Sequence, residues 1–313
     1  MKLDRRQFFV LSSGALAAAP LARVFAQTQA PAPVQAPAAP PVTAFTDVRR
    51  NVGIFTGRGG TIGYLVNKDA VTVIDTQYPD TAKICLDGVK QKSGGRAIDV
   101  VFNTHHHADH TLGNPVFRAD AKRIVAQAGV PPLQRTVAAA TPNSAPVVVA
   151  DVTFDTTWSQ KFGDETIAAQ FNGPGHTGAD ALFHFERANV VHMGDLLFLE
   201  RHPRVDRAAG ASIQNWIKIL EKVAKNMRGD TIYIAGHAKD GQSPTADRAA
   251  LLRFRDYFDA VLALTKKGVA AGQSKDAIAA TPTLPGFENY QGGGALTLKG
   301  VLEVAYDELT AKA

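Results

Sequence analysis

The sequence predicts an α+β fold made of two strand-rich halves, each of which also carries helices. Short apolar or β-branched runs follow one another from residue 48 onward, and only a few longer segments show helical periodicity instead. The chain has 313 residues, of which 45% are hydrophobic and 20% are charged. This composition is typical of globular proteins, and the length suits one large domain or two small ones.

The first half is predicted to contain strands that turn residues separate. These strands lie at residues 52–58, 61–67, 70–76, 98–104 and near 123–126. The run at 98–104 is continuously apolar, which is typical of a buried strand. Helices are predicted within residues 80–93 and after Gly113.

The second half is predicted to contain a further set of strands and two clear helices. The strands lie at residues 152–154, 158–162, 165–171, 181–186, 189–193 and 231–237. A helix begins at residue 213 with Ser212 as its cap, because apolar residues recur on one face as far as Met227. A long helix is predicted to start near Pro244, with Ser243 as its cap, and to run to about Lys267.

The first 46 residues are predicted to lie outside the folded domain. Residues 1–26 resemble a twin-arginine signal, since Arg5 and Arg6 precede an apolar stretch that is shorter than the roughly 20 residues needed to span a membrane. Residues 27–46 are rich in alanine and proline and are predicted to form a linker. The expectation is a periplasmic or otherwise exported protein without a stable membrane anchor, whose folded domain is residues 47–313 with a helical C-terminal end.

The charge of the chain gives little support for nucleic-acid binding. The formal net charge is +5, but the first 46 residues hold four basic residues and one acid, so the remainder carries only +2. Cys85 is the only cysteine, which excludes an intramolecular disulfide.

Four polar clusters each follow an apolar run that is predicted to be a strand. They are "HHHADH" at 105–110, "PGHTGAD" at 174–180, "GD" at 194–195 and "GH" at 236–237. Strands are rigid platforms, and the loops at their ends present side chains to a shared cleft. Imidazole and carboxylate ligands suit zinc, with iron or manganese as alternatives. The sequence therefore predicts a metal site at one edge of the strands.

Spacing divides the side chains of the first cluster into two groups. His105 and His107 are two residues apart, so on an extended chain they point the same way and can bind one ion. Asp109 and His110 follow where the chain turns, and they can serve a second ion. The other clusters supply the remaining candidate ligands, which are His176, His237 and, between the two ions, Asp195.

The pattern His-x-His-x-Asp-His, followed in order by "GHTGAD", "MGD" and "AGH", resembles the metallo-β-lactamase superfamily over residues 48–265. The resemblance implies a four-layer αββα sandwich, in which two mixed sheets face each other, helices cover the outside and the metals lie at one edge. It also implies the ligands of each metal: His105, His107 and His176 for the first, Asp109, His110 and His237 for the second, and Asp195 between them.

Asp195 separates branches of this family. Many zinc β-lactamases carry cysteine at this position, whereas aspartate fits the thioesterase-like and lactonase-like branches, including glyoxalase II-type enzymes. The resemblance therefore favours a hydrolase with two Zn²⁺ ions, in which a metal-bridging hydroxide cleaves a carboxylic ester, thioester, lactone or related amide. Asp109 is the candidate catalytic residue, since it can orient the nucleophile or move its proton.

Other functions remain as alternatives. A zinc β-lactamase is the first, because Asp195 does not exclude β-lactam cleavage. An iron-dependent redox member of the same superfamily is the second, although no part of the chain resembles a flavin-binding domain. A non-catalytic binding protein is disfavoured by the complete ligand set. The expected partner is a small-molecule substrate and not a nucleic acid, and the sequence does not predict the oligomeric state.

Several residues outside the ligand set also receive predictions. His202 follows the strand that carries Asp195 and is a candidate substrate contact. His106 points away from its neighbours on an extended chain and is predicted to bind no metal. Asp75 ends a strand, where it either supports the metal ligands or caps a turn. Loops around 56–62, 134–146 and 200–212 are expected to select the substrate.

Overall fold

The computed structural model describes residues 41–141 and 147–311. The predicted signal, residues 1–26, and the linker as far as residue 40 lie outside these residues. Within the described part of the chain, no helix combines the length and the apolar character that crossing a bilayer requires.

The first sheet combines an antiparallel part with a parallel part. Its seven strands pair in chain order: β1 (Ala44–Arg49), β2 (Val52–Thr56), β3 (Ile62–Val66), β4 (Val71–Ile74), β5 (Val100–Asn103), β6 (Ile124–Gln127) and β7 (Val152–Phe154). Strands β1 to β4 are antiparallel neighbours, and β4 to β7 are parallel neighbours. The parallel part places the ends of β4 and β5 at the same edge of the sheet.

The second sheet has six strands, which also pair in chain order. They are β8 (Thr157–Phe162), β9 (Glu165–Phe171), β10 (Ala181–Phe185), β11 (Val190–Leu199), β12 (Ile232–Ala238) and β13 (Thr245–Ala246). Every neighbouring pair is antiparallel except β11 and β12, which are parallel.

The helices lie between and after these strands. They are α1 (Pro79–Ser93), α2 (Ala108–Thr111), α3 (Asn114–Arg118), α4 (Val130–Ala140), α5 (Ile213–Asn226), α6 (Arg248–Ala270), α7 (Lys275–Ala279) and α8 (Leu298–Thr310). A 3₁₀ turn, Arg207–Ala209, precedes α5. The side chain of Ser212 caps α5 by accepting a hydrogen bond from the Asn215 amide, as the sequence predicts.

Three apolar layers hold the sheets and helices together. Alternate residues of β5 point to opposite faces, so Phe102 packs between the two sheets while Val101 packs under α1 and α3. Phe102 meets Phe183 of the second sheet with ring centroids 4.9 Å apart. On the far side, Trp216 of α5 lies 4.6 Å from Phe258 of α6 in the layer that covers the second sheet. This arrangement is the predicted four-layer αββα sandwich.

The folded domain begins earlier than the sequence suggests, because β1 starts at Ala44 within the predicted linker. Phe45 packs against Phe55 and Tyr64, with ring centroids 4.8 and 5.8 Å apart. Gly88 in the middle of α1 makes room for this ring, since a Cβ atom there would collide with it. The alanine and proline residues that precede this strand conceal its start.

One helix boundary differs from prediction, and one helix, α4, was not predicted. The long helix α6 starts at Arg248 and not near Pro244, and its cap is Asp247, whose carboxylate accepts a hydrogen bond from the Ala250 amide at 2.9 Å. The reason is that Thr245 and Ala246 are extended and pair with β12 as strand β13. The loop predicted at 134–146 contains the end of α4, whose prolines stand in the first turn, where a missing N–H costs nothing.

We predict that Phe45→Ala will lower the free energy of unfolding by about 1–3 kcal/mol, because it leaves a gap between β2, β3 and α1. Chemical denaturation measures the change. Thr46→Ala is the matched control, because this neighbour is exposed. Equal stability of the two variants would mean that the Phe45 packing contributes nothing.

Candidate metal centre

The candidate ligands come from both sheets and meet at one edge of the sandwich. His105 and His107 follow the end of β5, and Asp109 and His110 lie on α2 directly after them. The second sheet provides the other side chains: His176 from the loop after β9, Asp195 from β11 and His237 from β12. The structure thus brings together all seven residues that the sequence singles out as metal ligands.

Asp195 reaches this edge through an irregularity within its strand. The sequence predicts a strand that ends at Met193, but β11 continues to Leu199. Its pairing with β12 changes register on both sides of Gly194, whose φ angle of +51° suits glycine. The bulge turns the Asp195 side chain toward the histidines.

The first cluster joins three imidazoles and one carboxylate oxygen. His107 Nδ1 lies 2.8 Å from His176 Nε2, which in turn is 3.3 Å from Asp195 Oδ2. His105 Nε2 is 3.9 Å from the same oxygen. One ligand atom from each of these four residues lies within 4.8 Å of the others, and all four residues are buried.

The second cluster lies beside the first and shares its carboxylate. Asp109 Oδ2 is 3.1 Å from His237 Nε2 and 3.6 Å from His110 Nε2. The other oxygen of Asp195, Oδ1, is 3.0 Å from His110 Nε2 and 3.5 Å from His237 Nε2. Asp195 therefore directs one oxygen to each cluster.

His105 Nε2 is buried without a hydrogen-bond partner, and the buried Asp195 Oδ1 faces the ring nitrogens of His110 and His237, which are themselves candidate metal ligands. Leaving such groups unpaired in the interior is costly. A cation at each cluster would satisfy both atoms, and imidazole nitrogens with carboxylate oxygens are a ligand set typical of zinc. The residues present therefore fit a pair of divalent metal ions.

The electrostatics of the clusters agree with this fit. Burial lowers the pKa of His105 well below its usual value, and it lowers the pKa of His176 to about 3. Both rings are therefore neutral at neutral pH and keep a lone pair for a metal. Burial lowers the pKa of His110 and His237 as well, but the carboxylates of Asp195 and Asp109 raise it by more. The pKa of His110 is therefore well above its usual value, and that of His237 is about 9. The second cluster thus favours positive charge.

Asp75 supports both clusters, which decides between the two roles that the sequence leaves open for it. Its carboxylate accepts a hydrogen bond from His110 Nδ1 at 2.7 Å, so the Nε2 of that ring faces Asp195. It also accepts from the backbone amide and the hydroxyl of Thr104, both at 2.8 Å. The Thr104 hydroxyl lies 3.0 Å from His105 Nδ1 and can accept its proton, which leaves Nε2 for a metal.

Asp206 is a supporting residue that the sequence analysis missed. His107 Nε2 lies 2.8 Å from Asp206 Oδ2, so His107 donates there and presents Nδ1 to the first cluster. In the same loop, the carbonyl of Arg204 accepts from His176 Nδ1 at 2.7 Å. The sequence analysis selects polar residues that directly follow a predicted strand. Arg204 and Asp206 do not follow one, so this criterion does not select them.

The remaining residues of interest lie around the clusters. His106 is buried and belongs to neither metal cluster, although its Nε2 is 3.9 Å from Asp206 Oδ2. His202 donates to or accepts from the Tyr257 hydroxyl at 2.9 Å and packs beside Tyr290, 5.9 Å away. The structure does not bring His202 together with the ligands, and its contact with substrate stays a prediction.

Glycine is required at two positions where the backbone touches a ligand. A Cβ atom at Gly236 would collide with Asp195 Oδ1, and one at Gly60 would collide with the His110 ring. Gly60 also accepts a hydrogen bond from the Gln77 side chain at 2.6 Å. The glycine of the "AGH" motif is thus part of the wall that holds Asp195.

A cavity of about 580 Å³ opens beside His237. The turn between β2 and β3 forms one wall, and residues 236–244 form the other. Arg201 and Lys239 line this cavity, and they pair with Asp240 at 3.1 Å and with Glu200 at 3.6 Å respectively. The side chains of Asp109 and His237 are 26% and 16% exposed, whereas those of His105, His110 and His176 are 1% or less. Solvent therefore reaches the clusters from the side of Asp109 and His237.

Comparisons of the sequence with known proteins identify related chains. The sequence model of the family described as "Metallo-beta-lactamase superfamily" matches residues 55–237. Metallo-beta-lactamase IND-1 of Chryseobacterium indologenes is 22% identical over 200 residues, which are 63% of this chain and 80% of that protein. The hydroxyacylglutathione hydrolase of Brucella ovis is 29% identical over 153 residues, which are 46% of this chain and 49% of that protein. The match thus covers about half the length of this second relative.

Solved structures share the fold. A stereoselective inverting sec-alkylsulfatase from Pseudomonas sp. superposes with a TM-score of 0.67 at 16% identity, over 86% of this chain and 50% of that one. A metallo-beta-lactamase from Pontibacter korlensis gives a TM-score of 0.56 at 19% identity, over 70% of this chain and 99% of that one.

We predict that Asp206→Asn will weaken metal binding at the first cluster about tenfold or more, because His107 loses the charged acceptor that orients it. The amide keeps an oxygen for the Ala209 amide, so the fold of the loop should persist. Competition with a chelator measures the affinity. Asp155→Asn, at an exposed carboxylate, is the control. Equal metal affinities in the two variants would contradict the role assigned to Asp206.

Proposed function

The chain belongs to the metallo-beta-lactamase superfamily, whose sequence model matches more than half of it, and we propose that it is an exported hydrolase that binds two zinc ions and cleaves a carboxylic ester, thioester, lactone or related amide. The position of Asp195 is the observation that carries the proposal. Its two oxygens face different clusters, and a shared carboxylate suits two adjacent cations.

The ligands are divided between the two ions as the clusters suggest. His105, His107 and His176 would hold the first ion, Asp109, His110 and His237 would hold the second, and Asp195 would contribute to both. When bound, two divalent cations lower the pKa of water and polarise a carbonyl oxygen. Iron and manganese accept the same donors, so zinc is part of the proposal.

The residues of the chain itself contribute position and proton transfer. Asp109 is the most exposed carboxylate of the site, and its Oδ2 lies 3.1 Å from His237 Nε2. We assign to the Asp109 carboxylate the role of orienting the attacking water and holding its proton. In this proposal the cavity beside His237 receives the substrate, and Arg201 and Lys239 offer hydrogen-bond donors to its polar part.

Asp195 favours an oxygen-ester, thioester or lactone substrate, because the thiolate that many zinc β-lactamases use at this position is absent. The match to a hydroxyacylglutathione hydrolase supports this preference. A zinc β-lactamase is the second candidate, since the match to IND-1 covers 80% of that enzyme. A panel of esters, thioesters, lactones and β-lactams, tested with zinc-loaded protein, separates the two. Activity that chelation removes and zinc restores is expected, whereas bound iron would favour the redox alternative.

We predict that Asp195→Asn will weaken binding of the second metal and reduce turnover at least tenfold, because the variant keeps the size of the side chain but loses the charge that offsets repulsion between two cations. Elemental analysis and kinetics on the best substrate measure both effects. Asp164→Asn is the control, because this carboxylate pairs with Arg50 and Arg187 at the surface. Two bound metals and full turnover in Asp195→Asn would refute the bridge.

Export through a twin-arginine route is proposed from Arg5 and Arg6 together with the apolar stretch after them. Replacement of both arginines by lysine should keep the full-length chain in the cytoplasm, because lysine preserves the charge but not the arginine pair. Fractionation of cells that express each chain measures its location. Replacement of Lys2 by arginine serves as the control. Unchanged export of the double variant would refute the proposed route.

A further inference from the structure

A second cavity lies on the other side of the segment that carries the ligands. Its volume is about 520 Å³, and it lies between α2, α4 and residues 147–148. We call it the α2–α4 cavity. Apolar side chains dominate its lining, among them Leu112, Pro115, Val137 and Val148. Its size falls within the range of about 300–1,000 Å³ that is usual for small-molecule sites.

The lining includes apolar side chains that solvent reaches. In the described part of the chain, Leu112 and Val137 are two of four large apolar side chains that are exposed, at 38% and 50%. Both line the same cavity, although they belong to different elements. Isolated exposed apolar residues need no explanation, but two that converge on one concave site indicate a place where apolar ligand surface is buried.

Two polar atoms inside this lining have no partner. His106 Nδ1 and Gln134 Oε1 are buried and make no hydrogen bond, and each residue is only 4% exposed. Thr111 also lines the cavity, but its hydroxyl is satisfied by the carbonyl of His107 at 2.9 Å. An apolar ligand that carries a hydrogen-bond donor would satisfy Gln134 Oε1, which a bilayer or a wholly apolar protein surface would leave unpaired.

The α2–α4 cavity borders the metal centre through the chain itself. His106 stands between the ligands His105 and His107, and Ala108 stands between His107 and Asp109. Ala108 lines the cavity and is itself exposed, so an acyl chain can pass over it toward Asp109, whose side chain is 26% exposed. The cavity beside His237, by contrast, carries Arg201 and Lys239. The two sides of the centre therefore differ in polarity.

From these observations we infer that the α2–α4 cavity binds the aliphatic acyl chain of the substrate, and that this chain bears a hydroxyl or amide N–H that donates to Gln134. The inference rests on the proposed function. It narrows the substrate to an ester, thioester or lactone with a medium-length acyl chain, whose more polar part lies toward His237.

Binding tests the inference without catalysis. Octanamide and butanamide, which share the amide donor, are titrated calorimetrically into the metal-free protein. Each buried methylene improves affinity by up to about fourfold, so octanamide should bind at least tenfold more tightly than butanamide. Val137→Glu should abolish this difference, because it places a charge in the apolar lining. Ile84→Glu is the matched control, since Ile84 is 40% exposed on α1 and lies outside the cavity.

Gln134→Leu tests the polar contact separately. This variant should reduce octanamide affinity severalfold while leaving the binding of octane-1-thiol, a poor donor, unchanged. Equal binding of the long and short amides by the parent chain, or equal effects of Val137→Glu and Ile84→Glu, would overturn the inference.

A failure of the acyl-chain site must be distinguished from a failure of the proposed hydrolase function. Turnover of acyl thioesters with acyl chains of two to ten carbons distinguishes them. For the zinc-loaded protein we expect kcat/KM to rise with chain length and Val137→Glu to flatten the rise. Hydrolysis without any chain-length preference would refute the acyl-chain site alone. Absence of hydrolysis across the series and the wider panel would refute the hydrolase, whatever the amides show.

Discussion

The position of one buried carboxylate, Asp195, determines how the rest of the site is built. Its side chain is 4% exposed, and histidine nitrogens surround both of its oxygens. Burial raises the pKa of this carboxyl group, but His110 and His237 outweigh that effect and hold it well below its usual value. A buried charge of this kind is stable only where opposite charge is close and fixed. Removal of the surrounding positive groups would therefore leave the buried Asp195 carboxylate without opposite charge and destabilise the folded site.

Asp195 belongs to the second sheet and several of the histidines around it belong to the first, so the site depends on how the two sheets pack. Histidines from the end of β5 meet Asp195 from β11 across the edge of the sandwich. The contact of Phe102 with Phe183 fixes the distance between these sheets a few residues away. A shift in that apolar layer would move one ligand set relative to the other, and a difference of about 1 Å is enough to impair such a centre.

Hydrogen bonds around the candidate ligands also restrict the orientation of the histidine rings. Asp75 binds His110 directly and reaches His105 through the Thr104 hydroxyl, so one carboxylate orients a ligand in each cluster. Asp206 and the Arg204 carbonyl orient His107 and His176 in the same manner. The tautomer of each of these rings follows from the partner on its outer side. The imidazoles consequently converge through the protein's own contacts.

The sequence predicts the sheets and the candidate ligands because both depend on local patterns. Apolar runs specify strands, and polar clusters at their ends mark the edge where side chains meet. Asp206 escaped this reasoning because it lies in an irregular loop, and its relation to His107 exists only after the chain folds. The packing of Phe45 was not predicted because the alanine- and proline-rich composition before it concealed its strand. The glycine at position 88 of α1 leaves the space that the Phe45 ring fills. The predicted start of α6 was wrong because residues 245–246 pair with β12, and this pairing overrides the capping signal of Ser243.

Selectivity is the property that local patterns predict least, because it depends on the lining that distant segments share. The centre has a cavity with charged side chains beside His237 and an apolar cavity between α2 and α4. Hydrolytic chemistry at two metals is similar for many acyl compounds, so the reacting atoms alone cannot distinguish them. Remote groups of a substrate contribute by holding the acyl carbon in place, and truncated substrates lose that contribution. If the proposed acyl-chain site is correct, an acyl compound with one apolar and one polar end would contact both cavities, whereas a compact or uniformly polar one would contact only one.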